Sequence, residues 1–272
     1  MVKPMKYKLV CIDIDGTLLD DESRLQEPVK KCIKRISDQG VNIAFASGRM
    51  PYAVELIEKE IGIECIKICN AGTYILMGER CIYREYLPNT TMREMYELYA
   101  KKNDIPMWIF RDRDWYVTGV DEMVEWEIGI IQYLPEIVEM EQLARMWVKE
   151  CKQPNKLLFA ADKEKIEAIC REMRAYAWKD VDMARSAEKF VEIFPKGTNK
   201  GKALEMVCRE LDIRPEETIA IGDQELDIPM ITAAGVGVAM GNAITELKEK
   251  ADFVTRTNNE AGVAYALEHF LA

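Results

Sequence analysis

Short apolar runs recur along the chain at 9–14, 41–46, 218–221 and 236–240, each rich in β-branched or small residues and bounded by glycine or a polar turn. Uninterrupted runs of this length predict strands buried on both faces of a parallel sheet. Amphipathic stretches lie between them. The stretch 27–39 opens with Pro28 in its first turn and stops at Gly40, and 52–61 stops at Gly62, as helices do. Strands alternating with helices predict βαβ units and an α/β fold built on a doubly wound, Rossmann-like parallel sheet.

The pattern changes after residue 73. A hairpin over 73–86 turns at Met77, Gly78 and Glu79. Then come a helix at 93–102, strands at 106–110 and 115–118, a helix at 141–150, a strand at 156–161 and a helix at 163–176. All five tryptophans (108, 115, 126, 147 and 178) fall in this region. The first pattern returns with a helix at 200–211, so a second α/β domain is inserted into the first. The expected organisation is a core of 1–83 and 191–272 around an insert of 84–190. With a separate small core to fill, each tryptophan is expected to pack inside the insert rather than meet substrate. The run Arg111, Asp112, Arg113 predicts a solvated turn.

Composition and charge narrow the chemistry. The 272 residues are 49% hydrophobic, enough for a substantial core, and the net charge of -10 opposes attraction to nucleic acid. A small anionic substrate stays open, since a cation and a few basic side chains reverse the potential within one pocket. No apolar run is long enough to cross a membrane, and residues 1–8 lack the apolar core of a secretion signal, so a cytoplasmic protein is expected, as monomer or weak homodimer. The eight cysteines lie mainly in apolar patterns, as reduced thiols do, and the close pair Cys65 and Cys69 lacks the second pair a structural zinc site needs. A single histidine, His269, rules out catalysis by Ser-His-Asp or Cys-His groups and the common catalytic zinc sites.

Any chemistry must then run on carboxylates, lysine, hydroxyls or a metal bound by oxygen. Asp13-Ile14-Asp15-Gly16-Thr17-Leu18 follows the first buried strand, and open α/β sheets place their sites at such strand ends. One carboxylate can attack phosphorus while the other protonates the leaving oxygen and later activates water. An Asp-Gly pair also ends many strands at an ordinary turn. Gly222-Asp223-Gln224-Glu225-Leu226-Asp227 adds acidic groups after another strand, and a site of clustered carboxylates with no histidine or thiol suits Mg²⁺. Lys200, at a helix start, is either a fixed ammonium for phosphate and nucleophile or a solvated charge. Ser47-Gly48-Arg49 offers a hydroxyl and free amides at a helix N-terminus, a phosphate site or a plain N-cap.

Taken in order, these motifs resemble the haloacid dehalogenase superfamily and, within it, the Cof-type phosphatases, over nearly the full length. The resemblance implies that Asp13 is the nucleophile, Asp15 the acid/base and Ser47 a phosphate ligand, with Gly48 beside it. It places the phosphate-binding lysine on Lys200. It implies Mg²⁺ held by Asp13, the Asp15 backbone carbonyl, Asp223 and Asp227. Thr17, Arg49 and Asn70 are further candidates for substrate contact. Asn70-Ala71-Gly72, Val238 to Ala243 and Glu260 to Val263 are similar to softer family signatures. Two departures stand out: Leu226 replaces the usual asparagine, and Ala71-Gly72 inverts the usual order of glycine and alanine. The implied insert is a cap that selects the substrate. The function expected is hydrolysis of small phosphorylated metabolites, sugar phosphates by default, through an aspartyl-phosphate. A phosphomutase and a non-catalytic binding or regulatory protein remain open alternatives, the latter favoured only by Leu226. A receiver-like phosphoacceptor explains neither the late Gly-Asp motif nor the insert.

Overall fold

A computed structural model of the chain describes residues 6–271. Residues 1–5, part of the N-terminal stretch read for a secretion signal, lie outside the described residues.

The chain divides into two compact units: Met1–Ser47, Val54–Tyr83 and Asn199–Ala272 form one, and Gly48–Ala53 with Arg84–Thr198 the other. The first is built on an eight-stranded sheet in the order Phe253–Val254, Val236–Ala239, Thr218–Gly222, Leu9–Ile12, Asn42–Ala46, Ile66–Cys69, Tyr74–Met77, Arg80–Arg84. The first six strands run parallel, and Tyr74–Met77 returns antiparallel from Ile66–Cys69. Leu9–Ile12 is central, pairing Ile12 with Ile221 on one side and Phe45 on the other, and all four of its side chains are buried. That double coverage is why its sequence shows no polar alternation. In the helix Glu27–Asp38, Val29, Cys32, Ile33 and Ile36 form the buried stripe. The doubly wound α/β expectation therefore holds. The strand run read at 9–14 ends earlier, at Ile12, because Ile14 already belongs to a turn.

The second unit carries a six-stranded sheet in the order Val181–Ala187, Phe190–Pro195, Lys156–Ala160, Met107–Arg111, Asp114–Val117, Glu136–Ile137. Its pairings are antiparallel except the last. One apolar cluster gathers Met95, Tyr99, Trp147, Ile166, Cys170 and Ile193 under the helices, and another gathers Met50, Ala53, Trp108, Phe110, Trp115 and Leu158. Trp108, Trp115 and Trp147 are thus packing residues, whereas Trp126 is 53% exposed and stacks on Phe190. The run Arg111 to Arg113 is not a simple solvated turn: Asp112 accepts a hydrogen bond from Tyr86 and its amide donates to Asn155, while Arg111 pairs with Asp112.

None of the eight cysteines is in a disulfide, and Cys65 and Cys69 are buried at either end of one strand. Among the described residues no helix is long and apolar enough to cross a membrane.

Candidate active site

Parallel strands bring their carboxyl ends to one edge, so Asp13, Ser47, Asn70 and Asp223, each just after a strand, share that edge of the first unit. Asp13 keeps its place in the ladder, its amide donating to Ile221. The chain then makes a wide turn over Ile14–Leu18, closed by Leu18 N–H to Asp13 C=O and Leu19 N–H to Ile14 C=O. Within it Asp15 is extended and Gly16 has φ 77°. The turn parts the two carboxylates: Asp13 is 6% exposed, and Asp15 faces solvent. Only glycine fits at 16, because a Cβ there would lie 2.6 Å from an Asp223 oxygen.

Lys200 opens the helix Lys200–Leu211, whose N-cap Asn199 accepts the Lys202 amide. It is no solvated charge: at 2% exposed, its Nζ donates to Oδ1 of Asp13 and Oδ1 of Asp227, both at 2.5 Å. Asp227 is fully occupied, since its Oδ2 accepts the amides of Asp223 and Gln224. Asp223 accepts from the Thr17 hydroxyl at 2.8 Å and from Gln224 Nε2 at 3.1 Å. The Thr17 hydroxyl, a candidate for substrate contact, is thus directed at Asp223. Leu226 is buried, and the polar contact to Asp223 in this loop comes from Gln224.

Ser47 and Asn70 are buried, and the Ser47 carbonyl accepts the Ala71 amide, joining two strand ends. The inverted Ala71-Gly72 order leaves Ala71 at φ 61°, a left-handed conformation that costs a non-glycine residue roughly 1–2 kcal/mol. Gly72, at φ 95°, sits where a Cβ would be 2.9 Å from the Asn199 carbonyl, next to Lys200. Gly48 and Arg49 belong to the second unit. There the Gly48 carbonyl accepts from Lys156 Nζ, and Lys156 pairs with Glu192 at 3.0 Å, both side chains buried. A Cβ at Gly48 would lie 2.4 Å from the Glu192 carboxylate.

Asp13, Asp223 and Asp227 present carboxylate oxygens within 4.8 Å of one another. Against Lys200 these three carboxylates leave two negative charges uncompensated. Burial and then Asp227 push Asp13 well above the usual carboxylate range despite Lys200, and the same two causes raise Asp223 to about 7. Burial opposes the charge of Lys200, but Asp13 and Asp227 outweigh it and hold the ammonium above its ordinary range. A divalent cation would cancel the remaining charge, and the all-oxygen donor set fits a hard ion such as Mg²⁺. Sequence reading missed Gln224, the Lys156–Glu192 pair and two asparagines, Asn242 and Asn258, that bond to the carbonyls of Gly16 and Leu19 in the turn after Asp13. The late signature around Met240-Gly241-Asn242 was the one available sign of the latter.

The sequence profile of the haloacid dehalogenase-like hydrolases matches residues 10–267. YkrA of Bacillus subtilis is 33% identical over 265 residues, covering 97% of this chain and 98% of YkrA. Among solved structures, a haloacid dehalogenase-like hydrolase from Bacteroides thetaiotaomicron superposes with a TM-score of 0.85 at 28% identity, covering 97% of this chain and 99% of that one. A subclass IIB sugar phosphatase superposes with a TM-score of 0.82 at 26% identity, covering 97% and 98%. With strand-end carboxylates, a buried lysine and a full-length match in agreement, the chain belongs to the haloacid dehalogenase-like hydrolases, in their Cof-type phosphatase branch.

Proposed function

We propose that this hydrolase is a Mg²⁺-dependent phosphatase of small phosphorylated metabolites, sugar phosphates first among them, working through an aspartyl-phosphate on Asp13. The observation that carries this reading is Lys200 held between Asp13 and Asp227, 2.5 Å from each, with Asp223 beside them. The related sugar phosphatase supports the substrate class.

Asp13, Asp223 and the Asp15 carbonyl are the proposed Mg²⁺ holders, with Asp227 completing the acidic set. The ion would supply charge neutralisation for the phosphoryl oxygens. Lys200 orients the Asp13 carboxylate and cancels part of its charge, so a free oxygen of Asp13 faces phosphorus as a nucleophile. Asp13 forms the new O–P bond as the ester O–P bond breaks, and Asp15 gives its proton to the leaving alkoxide. Asp15 then takes a proton from water as water attacks phosphorus, and the Asp13–phosphorus bond breaks to free inorganic phosphate. Ser47 and the Gly48 amide are the proposed phosphate ligands, Thr17 acts through Asp223, and Arg49 and Asn70 are proposed to meet substrate. Substrate choice is assigned to the insert read at 84–190, which lies in the second unit. We place the protein in the cytoplasm, acting on small molecules rather than nucleic acid or membrane, as monomer or weak homodimer.

The test is phosphate release from sugar phosphates, nucleotides and p-nitrophenyl phosphate, with Mg²⁺ or EDTA, for wild type and Asp13→Asn. Release that needs Mg²⁺ and vanishes in the variant is expected. Retention of more than a few per cent of activity in Asp13→Asn would remove Asp13 from the nucleophile role.

A further inference from the structure

Asp15 is the proposed proton donor, yet its side chain faces solvent. The backbone that carries it is therefore one of the things that aim it. Asp15 sits at φ -80°, ψ 120°, directly before Gly16 at φ 77°, ψ -2°. The two hydrogen bonds that close the turn use the carbonyls of Asp13 and Ile14 and leave the Gly16 carbonyl outside the closure.

That carbonyl accepts a hydrogen bond from Nδ2 of Asn242 at 2.8 Å, from a residue 226 positions away. Asn242 is itself held at the other end of its amide, where Oδ1 accepts the Asn258 backbone N–H at 3.0 Å. Both ends of the amide are thus engaged, which fixes its orientation. Asn258, 4% exposed, donates from Nδ2 to the Leu19 carbonyl at 3.1 Å and to Asp21 at 2.9 Å. The turn is gripped at Gly16 and at Leu19 by two asparagines bonded to each other. Their loops are pressed together: Gly241 N–H donates to the Arg256 carbonyl, and a Cβ at Gly241 would lie 2.8 Å from the Thr257 nitrogen.

We propose that Asn242 is a positioning residue for Asp15, acting through the Gly16 carbonyl to hold the acid/base carboxylate at its working angle. This rests on the phosphatase reading above. Small errors in placement are costly in proton transfer, which needs the donor within hydrogen-bond reach of the leaving oxygen. Asn242 is exposed and carries no core packing, so its removal loosens the turn and leaves the fold in place.

The step affected is the transfer of the Asp15 proton to the ester oxygen as the O–P bond breaks. An alkyl alkoxide needs that proton, and p-nitrophenolate leaves without it. Values of kcat/KM report events up to departure of the first product, so they isolate this step. For Asn242→Ala, one hydrogen bond of about 1 kcal/mol translates into a loss of kcat/KM of about five- to tenfold on an alkyl phosphate. The loss on p-nitrophenyl phosphate should stay under about twofold. In an Asp15→Asn background, adding Asn242→Ala should change nothing further, because both act on one proton. Equal losses on the two substrates, or no loss on either, would overturn the proposal. No release from either compound by wild type would overturn the phosphatase reading and this inference with it, an outcome visible before any variant is made.

Discussion

Lys200 Nζ lies 2.5 Å from Oδ1 of Asp227, while Oδ2 of the same carboxylate receives the amides of Asp223 and Gln224. Every partner of this carboxylate is a donor. Asp227→Asn must therefore turn its NH₂ against either the ammonium or the two amides. We expect a loss of about 2–4 kcal/mol in unfolding free energy, with phosphate release down more than about tenfold. Urea unfolding beside a release assay checks this, and a stability within about 0.5 kcal/mol of wild type would contradict it.

Uncompensated charge at Asp13 and Asp223 makes the site a stabilising point for a divalent ion. Mg²⁺ at about 100 times its dissociation constant should raise unfolding free energy by about 2.7 kcal/mol. The melting temperature should rise with Mg²⁺, return with EDTA and respond weakly in Asp223→Asn. A melting curve indifferent to Mg²⁺ in wild type would count against the metal assignment, independently of turnover.

In the second unit Lys156 and Glu192 are 2% and 3% exposed, so each is the other's charge partner in a buried setting. Lys156→Met strands the Glu192 carboxylate and should cost about 3–5 kcal/mol. Lys156→Met with Glu192→Leu removes both charges and should recover much of that loss. Unfolding curves that place single and double variants level would show that the pair is not what the single substitution breaks.

Much of this was legible in the sequence where one segment carries the whole signal. The strand Leu9–Ile12 is covered on both faces, so its own residues announce it, and the carboxylates follow it directly. Phe190–Pro195 was harder, because Glu192 interrupts its apolar run and only Lys156, on the neighbouring strand, explains a buried carboxylate there. The helix Glu122–Ile131 was missed since its apolar residues lie all round rather than on one stripe. The Asn242–Gly16 bond joins residues 226 apart, and nothing in either local pattern points to the other. Lys200 was readable as a candidate, but its burial between two carboxylates follows from the meeting of three separate segments.

The segment Gly48–Ala53 belongs with Arg84–Thr198, although thirty residues of the first unit, Val54–Tyr83, separate them in sequence. Met50 and Ala53 are each 1% exposed, in one apolar cluster with Trp108, Phe110 and Trp115. The exchangeable module is therefore discontinuous. A graft that swapped residues 84–198 for another protein's insert would bring a new apolar face against an old Met50 and Ala53. A chimera that carries residues 48–53 along with the insert keeps the mating surfaces matched, and recombination in this lineage would have to move both pieces together.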